Sequence, residues 1–398
     1  MFVFAGLFLA MTSAPSEGRA GIAESGQVTI RTDFPGGNAL VEKNQEGTVN
    51  VAPDLRGDRP WFYWCFEAKA TRAGRVRFVF PETVIGFKNG AIGFQGPAVS
   101  MDLGATWGWM GTDHVEGSAF VFDFSKPEET VRFAVTIPYL QANLDAFLKK
   151  NAANRHLKTS LLTTSRHGRP VELLRIGEPG PSVRNVLVTA RHHASETIAS
   201  YVLEGFLQAA MSERPEGVQF RKHYVLYAVP FVDKDGVEEG DQGKNRKPHD
   251  HNRDYGATSL YPEVQAIREL DQARPFQFSL DFHCPTLVMD SHQVMYFDGP
   301  RDHPAANFDN VSELASQIKR GLPKGAPVGP LVWLKPATTP KPMNSHYFGF
   351  KADTIMAATL EMPFAPPGKA TDPASCRGYG EVILRAWVNT HFKGEEPR

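Results

Sequence analysis

Val183–Ser200, VRNVLVTARHHASETIAS, is the stretch on which the reading of this chain turns. Val186, Leu187 and Val188 make a run of aliphatic residues short enough for a buried strand. From Ser195 onward Ile198, Tyr201, Val202 and Phe206 fall at helical spacing. Between the two stand His192, His193 and, three residues after His193, Glu196. Where a strand gives way to a helix, residues three apart can share one side of a turn. An imidazole and a carboxylate so placed are two thirds of a His₂Glu zinc site. The pair alone is weak evidence, because a capping histidine and an exposed first-turn glutamate give the same letters. The rest of the chain decides between these readings.

From residue 157 onward, strand patterns alternate with helical ones. Strands are expected at 158–165, 171–176, 184–190, 223–230, 276–283, 293–297 and 354–362. Helices are expected at 195–211, 260–273, 305–320 and 374–391. This alternation predicts an α/β sheet with helices on both faces. Two long irregular stretches interrupt it, Val232–Ser259 and the Pro-rich Pro323–Ser345. Loops of that length in an α/β unit usually carry function or fold over a site.

The preceding block reads differently. Phe62, Trp64 and Phe66 alternate with Tyr63, Cys65 and Glu67; Val76, Phe78 and Phe80 repeat the period, as do Phe120, Phe122 and Phe124, then Phe133, Val135 and Ile137. Gly and Pro punctuate the runs, as at Pro35-Gly36-Gly37 and Asn89-Gly90. Short alternating strands between turn residues predict an antiparallel β-sandwich over residues 27–150. Trp61, Trp64, Trp107 and Trp109 read as core filling there. Leu140, Leu144, Phe147 and Leu148 mark a short helical hand-over, and the second domain runs over 157–393.

The 398-residue length leaves room for two or three domains. A net charge of -1 argues against a nucleic-acid partner, which demands a basic excess. The three cysteines, Cys65, Cys284 and Cys376, exclude a disulfide framework. Phe2–Met11, FVFAGLFLAM, is too short to span a bilayer, so no stable membrane anchor is expected. With small residues following, residues 1–20 read as a signal peptide, although no Lys or Arg precedes the apolar run. The expectation is export to a periplasmic or secreted location, or a cytoplasmic one if that segment is no signal.

Four segments of the second domain belong together: ARHHASE (190–196), GKNRKPHDHNRDY (243–255), SLDFHCPT (279–286) and ATLEMPF (358–364). The first, third and fourth put a His or Glu at or just past the C-terminal end of an expected strand, the edge where open α/β sheets build sites. In this order the segments resemble the zinc metallocarboxypeptidases, and in particular the cytosolic-carboxypeptidase-like branch, which carries a β-sandwich in front of the catalytic domain. The WFYWCFEA and PYLQANLDAFL stretches resemble that leading domain. The resemblance implies that His193, Glu196 and His283 hold one Zn²⁺ per chain and that Glu361 is the catalytic carboxylate. It makes Asn252 and Arg253 the binders of a substrate's terminal carboxylate, with Asp250 behind a zinc histidine. The polarising arginine matches Arg246 with short spacing, and the mobile capping tyrosine matches Tyr347 loosely. It also implies a cis bond at Cys284-Pro285, where the family typically has a non-proline cis bond.

The chemistry of these residue types agrees. Two imidazoles and one carboxylate leave Zn²⁺ an open position for a water of lowered pKa. A second carboxylate can move that water's proton to a leaving amine. An arginine fork suits a carboxylate. The expected function is a zinc metallocarboxypeptidase acting on peptides with a free C-terminal carboxylate. Deacylation of N-acyl amino acids is the second reading, and a non-catalytic binding protein the third. Export would suit a peptidoglycan-derived stem peptide, whereas the cytosolic-type resemblance implies acidic C-terminal residues. Lys335 and Lys341 could favour an acidic residue or be solvated loop lysines.

Overall fold

The computed structural model describes residues 22–24, 26–41, 47–56, 58, 61–81, 84–85, 88–287, 292–301, 306–332, 340–366 and 371–391. The N-terminal apolar run and Lys335 lie outside the described residues.

Val186, Leu187 and Val188 are all buried, because their strand, Arg184–Ala190, sits in the middle of an eight-stranded sheet. Its parallel neighbours are Tyr224–Val229 and Phe278–His283, and Phe278–His283 is in turn parallel to Met356–Glu361. Leu157–Thr164, Pro170–Ile176 and Met295–Asp298 join antiparallel, so the sheet is mixed. Successive side chains on a strand point to opposite faces. Val186 and Val188 accordingly enter one core, and Leu187 enters another. Helices Thr197–Ala210, Asn307–Gly321 and Pro373–His391 supply the first core. Helices Pro262–Ala273 and Asn344–Gly349 supply the second. Thr197–Ala210 and Pro373–His391 touch at glycines. A Cβ on Gly380 would stand 2.0 Å from the Val202 carbonyl oxygen, so only glycine permits that approach.

The leading residues form a six-stranded and a five-stranded sheet. Rings from both meet between them: Phe66 lies 5.3 Å from Phe78, and Phe133 lies 5.1 Å from Phe120. Each ring so buried contributes ~1.5–3 kcal/mol. The antiparallel expectation fails for one pair, since Thr48–Ala52 runs parallel to Gly74–Val79. The two strands are joined through other elements, so no hairpin turn forces them antiparallel. Polar alternation also fails around Tyr63, Cys65 and Glu67, all buried, because the outer face of this sheet is covered as well. The Tyr63 hydroxyl donates to the Gly36 carbonyl. Phe62 meets Phe364 edge-on at 5.4 Å, which carries the core across to the eight-stranded sheet. Of the four tryptophans, Trp64 is fully buried, while Trp61, Trp107 and Trp109 pack at the margin. The hand-over is the helix Gln141–Lys150.

Four elements form where no strand or helix was expected: Lys234–Glu239 and Val328–Val332 within the two irregular stretches, Asn344–Gly349 at the end of the second, and Pro215–His223 before the strand Tyr224–Val229. They lack an apolar period. Lys234–Glu239 is instead held at its ends, by the Asp233 carboxylate accepting from the Gly236 N–H at 3.0 Å and by Gly240 at φ 74°. All three cysteines are free and buried. Among the described residues no helix is long and apolar enough to cross a membrane. The expected cis bond at Cys284-Pro285 is absent; the cis bond among the described residues is Lys247-Pro248. The trans preference that X-Pro bonds retain prevails at Cys284-Pro285.

Candidate active site

The parallel strands finish together, so their C-terminal residues share one edge. His283 is paired with Glu361 across neighbouring strands, and Ala190 with Phe282. The chain then turns sharply after Ala190. Arg191 takes φ 61°, and its buried guanidinium donates to the carbonyls of Ala194 and Tyr139 (2.8 Å each) and to Ser200 Oγ at 3.1 Å. That clamp folds the turn back on itself. The helix therefore starts at Thr197, two residues later than expected, because Ser195 and Glu196 are used by the turn. Glu196 stands at the N-cap position without capping; its carboxylate points to the imidazoles.

Three buried donors converge. His193 Nδ1 lies 2.8 Å from Glu196 Oε1, and His283 Nδ1 lies 2.7 Å from Glu196 Oε2. One ligand atom from each of the three falls within 4.8 Å of the others. Burial alone would push the Glu196 carboxyl up, but His193 and His283 outweigh it and hold it well below the usual range. Burial would lower His283, but Asp281 and Glu196 outweigh it and raise it. Glu361 stands beside His283 with Oε2 enclosed and without a hydrogen-bond partner. Burial pushes its carboxyl up to about 7, against the opposing charge of His283.

The backs of the imidazoles face carboxylates. His283 Nε2 donates to Asp281 Oδ2 at 2.6 Å. His193 Nε2 lies 3.5 Å from Asp250 Oδ1, beyond a good hydrogen bond. Glu196, Asp250, Asp281 and Glu361 thus gather around His193 and His283, an excess of negative charge that a divalent cation would balance. Two imidazole nitrogens and a carboxylate oxygen are a donor set that zinc takes. Burial of a half-satisfied set is otherwise costly, so the residues present fit a zinc ion.

Other residues of the reading are placed as follows. Asn252 and Arg253 lie on the 3₁₀ turn His251–Arg253, after Asp250. Arg253 is exposed and makes no ion pair among the described residues. Arg246 is not left free: it pairs with Asp233 at 3.0 Å and with Asp241 at 2.9 Å. Two carboxylates neutralise the charge that was expected to face the substrate. Tyr347 is not brought to the cluster either. Its hydroxyl donates to Asp271 at 3.2 Å and its ring packs on Tyr255. Cys284 is a packed thiol whose proton burial holds in place.

Residues 144–326 match the zinc carboxypeptidase family Peptidase_M14. Over these residues the chain is similar to the zinc carboxypeptidases. Cytosolic carboxypeptidase 6 of Caenorhabditis elegans is 25% identical over 277 residues, covering 63% of this chain and 59% of the relative. Cytosolic carboxypeptidase 2 of Xenopus tropicalis is 30% identical over 201 residues, covering 46% of this chain and 21% of the relative. The chain thus spans less than two thirds of these curated relatives. A metallo-carboxypeptidase structure from Burkholderia cenocepacia superposes with a TM-score of 0.77 at 20% identity, covering 92% of this chain and 98% of that one. One from Pseudomonas aeruginosa gives 0.73 at 21%, covering 90% and 98%. At that identity the likeness establishes the fold, a mixed α/β fold with several sheets. The expectation of export is corrected by the same relatives, which are cytosolic carboxypeptidases and point to the cytoplasm. The apolar run that motivated export has the length of a signal sequence, but length and hydropathy do not distinguish a signal from any other apolar segment.

Further residues stand in this site, of which the sequence marks Asp281 as a rival to Asp250. Asp281 had a legible signal, since it lies two residues before His283 on the same strand face. His192, Tyr255 and Asn344 had none, because their partners come from distant segments, and the clamp Arg191 had none, because a guanidinium bonding mainly to backbone carbonyls leaves no pattern in the side chains. Lys244 also had none. Its charge reaches both Glu361 and Asp250. It follows Gly243, whose Cβ would stand 2.3 Å from the Ala194 nitrogen, and precedes Asn245, whose N–H donates to Asp250 at 3.1 Å.

Proposed function

We propose that this chain is a zinc-dependent carboxypeptidase that hydrolyses the C-terminal amide bond of peptides. The observation that carries the reading is the convergence of His193, Glu196 and His283 beside the enclosed carboxylate of Glu361. Zinc bound there would supply a Lewis acid and a water of lowered pKa. Asn252 and Arg253 hold the terminal carboxylate of the substrate, a planar guanidinium fork matching two oxygens. Glu361 takes a proton from the attacking water and hands it to the leaving amine as the C–N bond breaks. Lys244 polarises the scissile carbonyl. It is supported in that role by its lack of an ion pair among the described residues, whereas Arg246 braces the loop through Asp233 and Asp241. Asp250 stands behind His193 and steadies it.

An acidic C-terminal residue is the substrate we favour. Arg253 and Lys341 both lie close enough to His346 to add to the burial that pushes it down to about 4, and neither has a carboxylate partner among the described residues. With Arg253 engaged by the terminal carboxylate, the uncompensated cation of Lys341 beside that turn suits a second carboxylate. Residues 27–150 are proposed as a β-sandwich module that braces the 233–250 loop, with residues 157–393 as the catalytic module. Asn38 Nδ2 donating to the Gly240 carbonyl at 2.8 Å supports this.

The test is mass spectrometry of paired peptides, one ending in free glutamate and one in its amide, incubated with protein of measured zinc content. The expected result is loss of one residue from the free peptide and none from the amide. Equal cleavage of both, or of neither, would overturn the reading. Turnover of an N-acyl amino acid with no turnover of either peptide would favour the deacylase reading.

A further inference from the structure

We infer that His192, Tyr255 and Asn344 are positioning residues, forming a buried hydrogen-bond relay that ties the metal ligand His283 to the carboxylate-binding Asn252. The inference rests on the roles proposed above for those two end residues. His283 Nε2 donates to Asp281 Oδ2 at 2.6 Å. The other oxygen of Asp281 accepts from His192 Nδ1 at 2.8 Å and from Thr189 Oγ1 at 2.7 Å. His192 Nε2 meets the Tyr255 hydroxyl at 2.8 Å. Asn344 Nδ2 donates to the Tyr255 oxygen at 3.0 Å, and the Asn344 backbone N–H donates to Asn252 Oδ1 at 3.1 Å. From His283 to Asn252, no member of the chain is more than 4% exposed.

The proton positions in this relay follow from its acceptor-only member. An ionised Asp281 has no proton to give, so both imidazoles donate to it. A neutral His192 with its proton on Nδ1 has a lone pair on Nε2, so the Tyr255 hydroxyl must donate there. The Tyr255 oxygen is then left to accept from Asn344. At the near end, His283 keeps a proton on Nε2 for Asp281, so Nδ1, which faces Glu196, is the nitrogen that would be free to bind a metal. At the far end, the Asn344 N–H takes the Asn252 oxygen, which fixes the orientation of that side-chain amide and presents its NH₂ to an incoming carboxylate. One set of hydrogen bonds therefore selects both the tautomer of a ligand and the orientation of a substrate-binding amide. Partners behind metal-binding histidines act in this way. Here the partner chain continues through His192, and its far end reaches a second functional group.

The experiment compares His192→Leu, His192→Gln and Tyr255→Phe with the wild-type chain, reading zinc affinity by chelator competition and KM for the free-carboxylate peptide. Glutamine can donate to Asp281 and accept from Tyr255, and leucine can do neither. His192→Leu should weaken zinc binding about 10-fold, and His192→Gln should stay within about threefold of wild type. Tyr255→Phe should lower zinc affinity and raise KM together, with kcat changed less. A role in packing alone would make leucine and glutamine equivalent at His192, so equal zinc affinities would overturn the relay. An unchanged KM in Tyr255→Phe would do the same. The chelator readout needs no turnover. A wild-type chain that binds zinc but cleaves no peptide therefore sinks the peptidase reading while the leucine–glutamine contrast still decides the link to the metal. A wild-type chain that binds no zinc overturns both.

Discussion

Replacing Asp281 with asparagine should damage metal binding more than the same change at Asp250. Asp281 accepts three hydrogen bonds at 2.6–2.8 Å, from Thr189, His192 and His283, and it is fully buried. An asparagine has one oxygen where the carboxylate has two. If that oxygen stays with Thr189 and His192, the NH₂ faces His283 Nε2, and two donors confront each other. The imidazole escapes by moving its proton to Nδ1, the nitrogen 2.7 Å from Glu196 and the one needed by the metal. Removing a partner behind a metal-binding histidine typically lowers affinity ~10–100-fold, which is ~1.4–2.7 kcal/mol. Asp250 stands 3.5 Å from His193 Nε2. At that separation the hydrogen bond is weak, and Asp250→Asn should cost less than about threefold, or ~0.7 kcal/mol. Zinc affinity is measured by chelator competition on both variants at equal melting temperature. Asp281→Asn within twofold of wild type, or Asp250→Asn the weaker binder of the two, would refute the reasoning.

Further expectations follow from other parts of the molecule. Glu361→Gln should retain about one zinc per chain while kcat falls ~10²–10⁴-fold, because proton transfer alone is removed; loss of zinc would contradict its role. Lys244→Met should lower kcat with melting unchanged, whereas Arg246→Met should leave Asp233 and Asp241 unpaired and lower the melting temperature; the reverse pattern returns the carbonyl to Arg246. Gly380→Ala would set a methyl 2.0 Å from a backbone oxygen of the facing helix and should destabilise by about 3 kcal/mol or more in a denaturant titration. Glu263 offers a pH test, since burial, with Asp233 and Asp235 adding to it, pushes its carboxyl up to about 8 from 4.5. The folded state then holds a proton that the unfolded state releases, so stability falls as pH rises from about 4.5 to about 8. Glu263→Gln should match wild type near pH 4.5 and melt higher at pH 8; identical melting at both pH values would show that Glu263 is ionised in the fold.

The strand–turn–helix at Val183–Ser200 was legible because buried β-branched runs and a helical apolar period leave their marks in a single segment. The same holds for every main-sheet strand from Leu157 to Asp298, for Met356–Glu361, and for the long helices. The convergence of His193, Glu196 and His283, the proposed ligand set, could be read because strand-end positions in such a sheet share an edge whatever their separation in sequence. Short elements without a period, such as Lys234–Glu239, were not legible, since their stability comes from caps and neighbours. Nor was the fate of individual cations. Arg246 and Lys244 stand two residues apart in one loop, and only the position of Asp233 and Asp241 decides which of them is neutralised. His192 beside His193 shows the same limit: adjacent identical residues leave the turn on different sides, one towards Glu196 and the other towards Asp281 and Tyr255. Local pattern determined which segments reach the sheet edge, whereas tertiary contact decided what each side chain meets there, because hydrogen-bond and charge partners act through space and come from distant segments, 92 residues apart both for Thr189 with Asp281 and for Asn252 with Asn344.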